Sequence, residues 1–389
     1  MDNLRPVSTA INGKMLWLIA AGVLVLLLAT VTGYFYLQKS QHPTRSQEPS
    51  GPFPYLAEEI SFPNTTADIT LSGTLTIPAG ANKKFPAMIL ISGYGPQNRD
   101  AEWIGHKPFL ILADHLTRLG MAVLRYDDRG FEKSTGDYHS STSLDFATDV
   151  ESAVQFLKSR KEIDIENIGL IGHSDGALVA PLVATRSTDI HFIVLLGAPG
   201  LPGGELLIKR QELIERRLGK PEHEIRKSKA YMETLTGIIV NSKDEKSLRA
   251  ALQKFATETK GQIPDDQVPA GMTKDEFISR QVAMLTSPWF KYFLTYNPRA
   301  TLEKVKCPVL ALTGDKDVQA PATENLQAIE SAIKSGGNAD VTVKELQGLN
   351  HMFQECHTGM IDEYAKLEQS FSPTALDEIS HWIVQHVKR

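Results

Sequence analysis

The apolar positions of this chain fall into stretches of three kinds. Met15–Leu37 runs for 23 residues without a charge and closes on Tyr34, Phe35 and Tyr36. That length spans a hydrocarbon core as a helix, and the aromatic end suits the interface. Residues 55–200 and 301–389 carry short apolar runs interleaved with amphipathic segments. Residues 201–300 contain helical periodicity and no clear strand.

Within the second kind, Glu58–Phe62 and Ile69–Ile77 read as an antiparallel hairpin about a turn at Pro63-Asn64-Thr65-Thr66. Ile69, Leu71, Gly73, Leu75 and Ile77 share one face, with Thr70, Ser72, Thr74 and Thr76 opposite. The Asn-x-Thr sequon at Asn64 is read as incidental. Further on, Ala87–Ile91, Met121–Arg125, Ile168–Ile171, Phe192–Leu196 and Val309–Leu312 are apolar instead of alternating, and Val341–Leu346 reads as one more strand. Helices are expected between and after them at Phe109–Leu119, Leu144–Arg160, Ala177–Thr185, Thr323–Ile333 and Thr374–Val387. This pattern predicts a mostly parallel, eight-stranded α/β sheet flanked by helices.

No simple crossover needs about 100 residues, so 201–300 reads as a helical cap insertion over the sheet's carboxyl edge. Its helices are expected at Glu205–Leu218, Glu222–Ile239, Lys246–Thr257 and Lys274–Leu285. The expected organisation is a 1–14 tail, a 15–37 transmembrane anchor, a 38–54 tether rich in Pro and small polar residues, and a core of 55–200 with 301–389. A slight positive bias before the span places the catalytic domain outside the cytoplasm. A cleaved signal peptide, giving a secreted protein, is the rival reading.

Composition narrows the chemistry. Hydrophobic residues at 42% and charged residues at 22% are ordinary for a folded protein, and a net charge of −5 offers no general field for nucleic acid. Cys307 and Cys356 are expected roughly 20 Å apart on strand geometry, too far to bridge, and so free. The acidic residues show no metal-ligand spacing, and no metal is expected.

The chemistry concentrates at Gly172-His173-Ser174-Asp175-Gly176, a Gly-x-Ser-x-Gly between an apolar run and a small-residue helix. In that context the serine sits on a strained strand-to-helix turn with its hydroxyl exposed. A serine nucleophile needs a base, and the base needs a group that fixes its tautomer. Val309–Leu312 runs into Asp315 and Asp317, and Val341–Leu346 into His351. Asp317 is preferred to Asp315, which can cap the turn. Oxyanion donors are expected from the backbone N–H of Asp175 and of Tyr94 in Ser92–Pro96, with Gly95 second. Arg125, Asp127, Asp128 and Arg129 read as a hydrogen-bonded network beside the nucleophile. His106 is read as structural. Trp289 and Phe290, in an aromatic set with Tyr292, Phe293 and Tyr296, are weak substrate-binding candidates, cap packing being the equal alternative.

Together, Ser92–Asp100, Gly105–Phe109, Tyr126–Gly130 with Ser134-Thr135-Gly136, and Gly172–Gly176 resemble the α/β-hydrolase superfamily. More narrowly they are similar to bacterial serine carboxylesterases of the esterase D group, related to prolyl oligopeptidase and dienelactone hydrolase. The resemblance covers about residues 57–389 and implies hydrolysis of small acyl esters, usually of short acyl chains, without a cofactor. It carries the triad onto Ser174, Asp317 and His351. Two departures stand out: Ser92-Gly93 replaces the more usual His-Gly, and Phe131-Glu132 replaces a small-x-Gly after Arg129-Gly130. The same triad serves thioesterases, peptidases and acyltransferases, and a non-catalytic protein that kept the fold is a further alternative.

Overall fold

A computed structural model of the chain describes residues 45–80, 83–263, 268–269 and 271–387. The apolar run at 15–37 lies outside the described residues, and no described helix is long and apolar enough to cross a membrane. The chain divides into two compact units, Gln41–Ile214 with Ser287–Arg389, and Glu215–Thr286.

The larger unit is built on one eight-stranded mixed sheet. Its strands are β1 (Tyr55–Asn64), β2 (Ile69–Pro78), β3 (Phe85–Ile91), β4 (Ala122–Tyr126), β5 (Ile163–His173), β6 (Ile190–Leu196), β7 (Val309–Gly314) and β8 (Val341–Leu346). They lie in the order β1-β2-β4-β3-β5-β6-β7-β8. β1 and β2 form the expected hairpin, paired from Tyr55↔Pro78 to Asn64↔Ile69, and β2 meets β4 antiparallel; every later pairing is parallel. The carboxyl ends of β3 and β5–β8 therefore share one edge.

Helices cover both faces, which is why the central strands carry apolar runs instead of alternation. On one face α1 (Pro108–Arg118) and the terminal α11 (Pro373–His386) bury Leu112, Leu116, Ile379 and Ile383 against Met88, Val123, Val194 and Leu310. On the other, α2 (Ser143–Lys158), α3 (Gly176–Ala184) and α10 (Ala322–Ser335) bury Val150, Val154, Ala180 and Ile329 against Ile89, Leu170, Ile193 and Ala311. Thr74 and Thr76 of β2, on the face expected to be polar, are buried too, because Thr76 Oγ1 pairs with Thr117 Oγ1 at the end of α1. Asn64 is fully buried and its amide donates to Thr148 and Asp149, so the sequon there presents no accessible acceptor.

Between β6 and β7 lie α4 (Gly203–Arg217), α5 (Glu222–Asn241), α6 (Glu245–Thr259), α7 (Lys274–Leu285), α8 (Pro288–Thr295) and the short α9 (Arg299–Leu302). The smaller unit packs Met232, Leu235 and Ile239 of α5 with Leu248 and Leu252 of α6 and Phe277 and Val282 of α7 as its own core. Capping boxes at Asp244/Ser247 and Thr273/Glu276 start α6 and α7. Residues 287–300 belong to the larger unit.

The described end of the 38–54 stretch, which its composition marks as a tether, is held in place. Arg45 and the Ser46 N–H bond Glu368, Gln47 spans Ser370 N–H and Phe371 O, and Glu48 accepts from Lys107. Polar side chains that read as solvent-seeking in sequence here find long-range partners, which sequence proximity cannot reveal.

Candidate active site

The strand–turn–helix at Ser174 is the tight element its sequence demands. Ser174 has φ 55°, a left-handed backbone conformation that costs a non-glycine residue about 1–3 kcal/mol and is held only by its surroundings. Its N–H donates to Leu196 O at 2.9 Å, locking the turn to the end of β6. The flanking glycines are required by close approach. A Cβ on Gly172 would lie 2.2 Å from Gly176 O, and one on Gly176 would lie 2.2 Å from Ile91 O. The serine itself is half-buried.

Asp317 and His351 meet at the same edge. His351 Nδ1 and Asp317 Oδ2 are 2.7 Å apart, with 4% and 1% of each residue exposed. Asp317 Oδ1 accepts from the backbone N–H of Gln319 and Ala320, so both carboxylate oxygens are held. With Nδ1–H donating to the carboxylate, Nε2 is left as the accepting nitrogen, the tautomer a base requires. Asp315 is used elsewhere: its Oδ1 accepts the Gly348 N–H at 2.6 Å and ties the β7 loop to the loop bearing His351.

His173, the residue before the serine, connects the two halves. Its Nε2 donates to His351 O at 2.9 Å, and the two rings lie 4.8 Å apart. Burial first, then the neighbouring His351, lowers the His173 pKa to about 4, so this ring stays neutral and serves as a positioning strut. A Cβ on Gly197, after β6, would stand 3.0 Å from the His351 ring.

The loop after β3 passes directly beside Ser174, since a Cβ on Gly93 would lie 3.2 Å from the Ser174 Cβ. Gly95 N–H donates to Tyr138 Oη at 2.7 Å, which removes it as an oxyanion donor. Among the described residues no partner takes the Tyr94 N–H or the Asp175 N–H. The Ser92 that replaces the usual histidine donates its Oγ to Asp128 at 2.6 Å, and Gln97 N–H donates to the other Asp128 oxygen at 2.8 Å. Asp128 thus clamps both ends of the loop. Burial raises its pKa to about 8 against those two donors.

The basic and acidic residues after β4 form the network their spacing suggests. Arg129 grips Asp149 through Nε and Nη2 at 2.7 and 2.8 Å, Arg99 grips Asp127, and Arg125 pairs with Asp100. His106 is a buried staple between Ser370 Oγ and Tyr364 O. Glu132, at the second departure from the family pattern, takes φ 47° where a glycine would be unstrained.

Trp289 has a role that its sequence position alone could not show. Its ring lies 3.9 Å from the Tyr94 ring, centroid to centroid, and its Nε1 donates to Asp175 Oδ2 at 3.1 Å. One side chain therefore grips both residues expected to offer oxyanion donors. Asp175 also accepts from Ser143 Oγ at 3.2 Å, and burial raises its pKa to about 6. Phe293 stacks behind Trp289 at 5.0 Å, while Phe290 is buried alongside at 6.2 Å. Among the described residues no group of His, Cys, Asp and Glu has the arrangement of a metal site. Both cysteines are free.

A family model described as serine aminopeptidase, S33 matches residues 107–355, well over half the chain. The chain belongs to the S33 family of α/β hydrolases. This S33 hydrolase is 27% identical over 323 residues to "Esterase EstD" of Thermotoga maritima, covering 82% of this chain and 67% of that one. In fold it is similar to the α/β hydrolase GrgF of Penicillium sp. sh18, with a TM-score of 0.52 at 16% identity, covering 85% and 99% of the two chains. The Pyrococcus furiosus esterase Pf2001 gives a TM-score of 0.51 at 16% identity, covering 89% and 97%. The likeness to α/β-hydrolase esterases read from the four motifs is borne out.

Proposed function

We propose that this S33 hydrolase cleaves small carboxylic esters through an acyl-enzyme on Ser174. The observation that carries the reading is the Asp317–His351 pair, buried and 2.7 Å apart, at the sheet edge where the strained Ser174 turn emerges. His351 Nε2 takes the hydroxyl proton as Ser174 attacks the carbonyl carbon, and Asp317 supports the imidazolium. The N–H groups of Tyr94 and Asp175 receive the oxyanion; each such donor is worth about 10²–10³ in turnover. The imidazolium returns its proton to the leaving alkoxide. Water, activated by the same nitrogen, then releases the acid and restores the serine.

The family's description as a serine aminopeptidase favours a second reading, cleavage of peptide amides by the same groups. Turnover of p-nitrophenyl acetate and an aminoacyl p-nitroanilide, side by side, separates the two. Ester turnover should dominate, and Ser174→Ala should lower kcat by about 10⁵-fold or more. A fluorophosphonate should label wild type at Ser174. Full ester turnover by Ser174→Ala would exclude the mechanism.

For location, the charge-free run at 15–37 supports an anchor that places the hydrolase at a membrane surface, outside the cytoplasm. Retention of the full chain in carbonate-washed membranes is the expected result; recovery in the supernatant would overturn it.

A further inference from the structure

Arg210, on α4, belongs to none of the networks above. Its guanidinium is half-buried, and its Nε is sealed from solvent without an acceptor. Among the described residues it makes no hydrogen bond or ion pair, whereas its neighbour Lys209 pairs with Glu324. A partly desolvated cation with no counterion is costly to keep. Its surroundings add a second fact: the adjacent Lys209 pairs with Glu324 in the first turn of α10, which directly follows the loop bearing Asp317, and Asp317 and Tyr364 both act on the guanidinium electrostatically. Asp317 does not use it, because three donors already occupy that carboxylate: Gln319 N–H, Ala320 N–H and His351 Nδ1. Tyr364 Oη is sealed as well, with the Gln319 side chain and the His351 backbone as its polar neighbours. A cation whose buried Nε lacks an acceptor thus lies on the helix packed next to a filled carboxylate's loop.

We propose that Arg210 is the anchor for an anionic group of the substrate, so that the preferred ester carries a carboxylate a few bonds from its scissile carbonyl. The inference rests on the ester-hydrolase reading of the same site. The planar guanidinium fork matches a carboxylate through two parallel hydrogen bonds, a geometry that lysine does not reproduce. Burial lowers the Arg210 pKa to about 10, which leaves it charged at neutral pH. A bound carboxylate supplies the counterion the folded chain lacks, and it fixes the acyl group relative to Ser174 by its far end. The chemistry of the hydrolytic step is unchanged.

Two measurements on the full chain test this. The first is kcat/KM for monomethyl glutarate and for methyl pentanoate, esters of equal acyl length that differ in the terminal charge. Wild type should favour the acidic ester at least tenfold, less so at high salt. Arg210→Gln should erase that ratio, and Arg210→Lys should recover part of it. A ratio equal in wild type and Arg210→Gln overturns the proposal while leaving ester hydrolysis intact. An equal loss on both esters would assign Arg210 to support of Asp317 instead, and also overturns it. Absence of turnover of either ester, and of p-nitrophenyl acetate, would overturn the ester reading itself. The second measurement is calorimetry with glutarate, independent of turnover. Binding should weaken at least tenfold in Arg210→Gln; no binding to wild type, or equal binding to both, sinks the anchor.

Discussion

At the scale of the residue, two left-handed positions show how strain separates function from accident. Ser174 holds φ 55° because Leu196 O, Gly172 and Gly176 leave the turn no other path, and the result is a hydroxyl at the sheet edge. Glu132 holds φ 47° on an exposed loop. Glutamate there carries the left-handed cost of about 1–2 kcal/mol, partly offset by the larger entropy glycine would lose on folding. Glu132→Gly is therefore expected to raise stability by up to about 1 kcal/mol without lowering ester turnover. Denaturant unfolding checks this; a loss of stability would show that Glu132 makes a contact worth more than its strain. Ser92 is the complementary case. Where the resemblance to the esterase D group implies histidine, its hydroxyl reaches Asp128 at 2.6 Å, so this chain keeps a donor at that corner.

At the scale of the element, α8 is the piece that ties together Tyr94 and Asp175, the residues proposed to offer the oxyanion donors. It begins at Pro288, with Ser287 Oγ accepting from Phe290 N–H, and that cap sets Trp289 on its first turn facing Tyr94 and Asp175. Trp289→Phe keeps a ring against Tyr94 and removes the donor to Asp175. The Asp175 carboxylate is then left with Ser143 alone, and its pKa should rise further above about 6. Expected are a fall in kcat of about tenfold, little change in KM, and an acid limb of kcat moved to higher pH. An unchanged kcat and pH profile would mean that α8 packs without positioning. The core strands and helices were legible because their apolar runs are long and their punctuation clear: α2, expected at Leu144–Arg160, runs Ser143–Lys158, and α7 spans Lys274–Leu285 as read. The role of Trp289 was not legible. A tryptophan among four other aromatics has the pattern of any packed helix, and only the fold brings it to residues 94 and 175. Arg210 is inconspicuous in sequence for the converse reason. What marks it is the lack of a partner, and a sequence does not display missing partners.

At the scale of the whole molecule, buried acids and a buried imidazole pull the pH dependence of stability in opposite directions. Asp128 is raised from 3.8 to about 8, so the folded state binds its proton more tightly than the unfolded state. Its contribution is fully present below about pH 4 and is lost as pH rises through about 8. His173, lowered from 6.5 to about 4, acts the other way: its contribution is present above pH 6.5 and is lost as pH falls through about 4. Asp128→Asn keeps one acceptor for Ser92 or Gln97 and cannot ionise. It should flatten the decline in stability between about pH 4 and 8, by up to about 1.4 kcal/mol per pH unit at its steepest. Unfolding free energies at several pH values decide this; an unaltered slope would place the titration elsewhere. The interruption between β6 and β7 has a consequence for how the protein is made. Ser174, Tyr94 and Asp175 leave the ribosome early, whereas Asp317 and His351 emerge only after the 215–286 unit. A nascent or truncated chain therefore holds the proposed nucleophile without its proposed base. Helices that fold on their own during that interval shorten the loop β6 must close to reach β7. Synthesis itself delays reactivity until the sheet is whole.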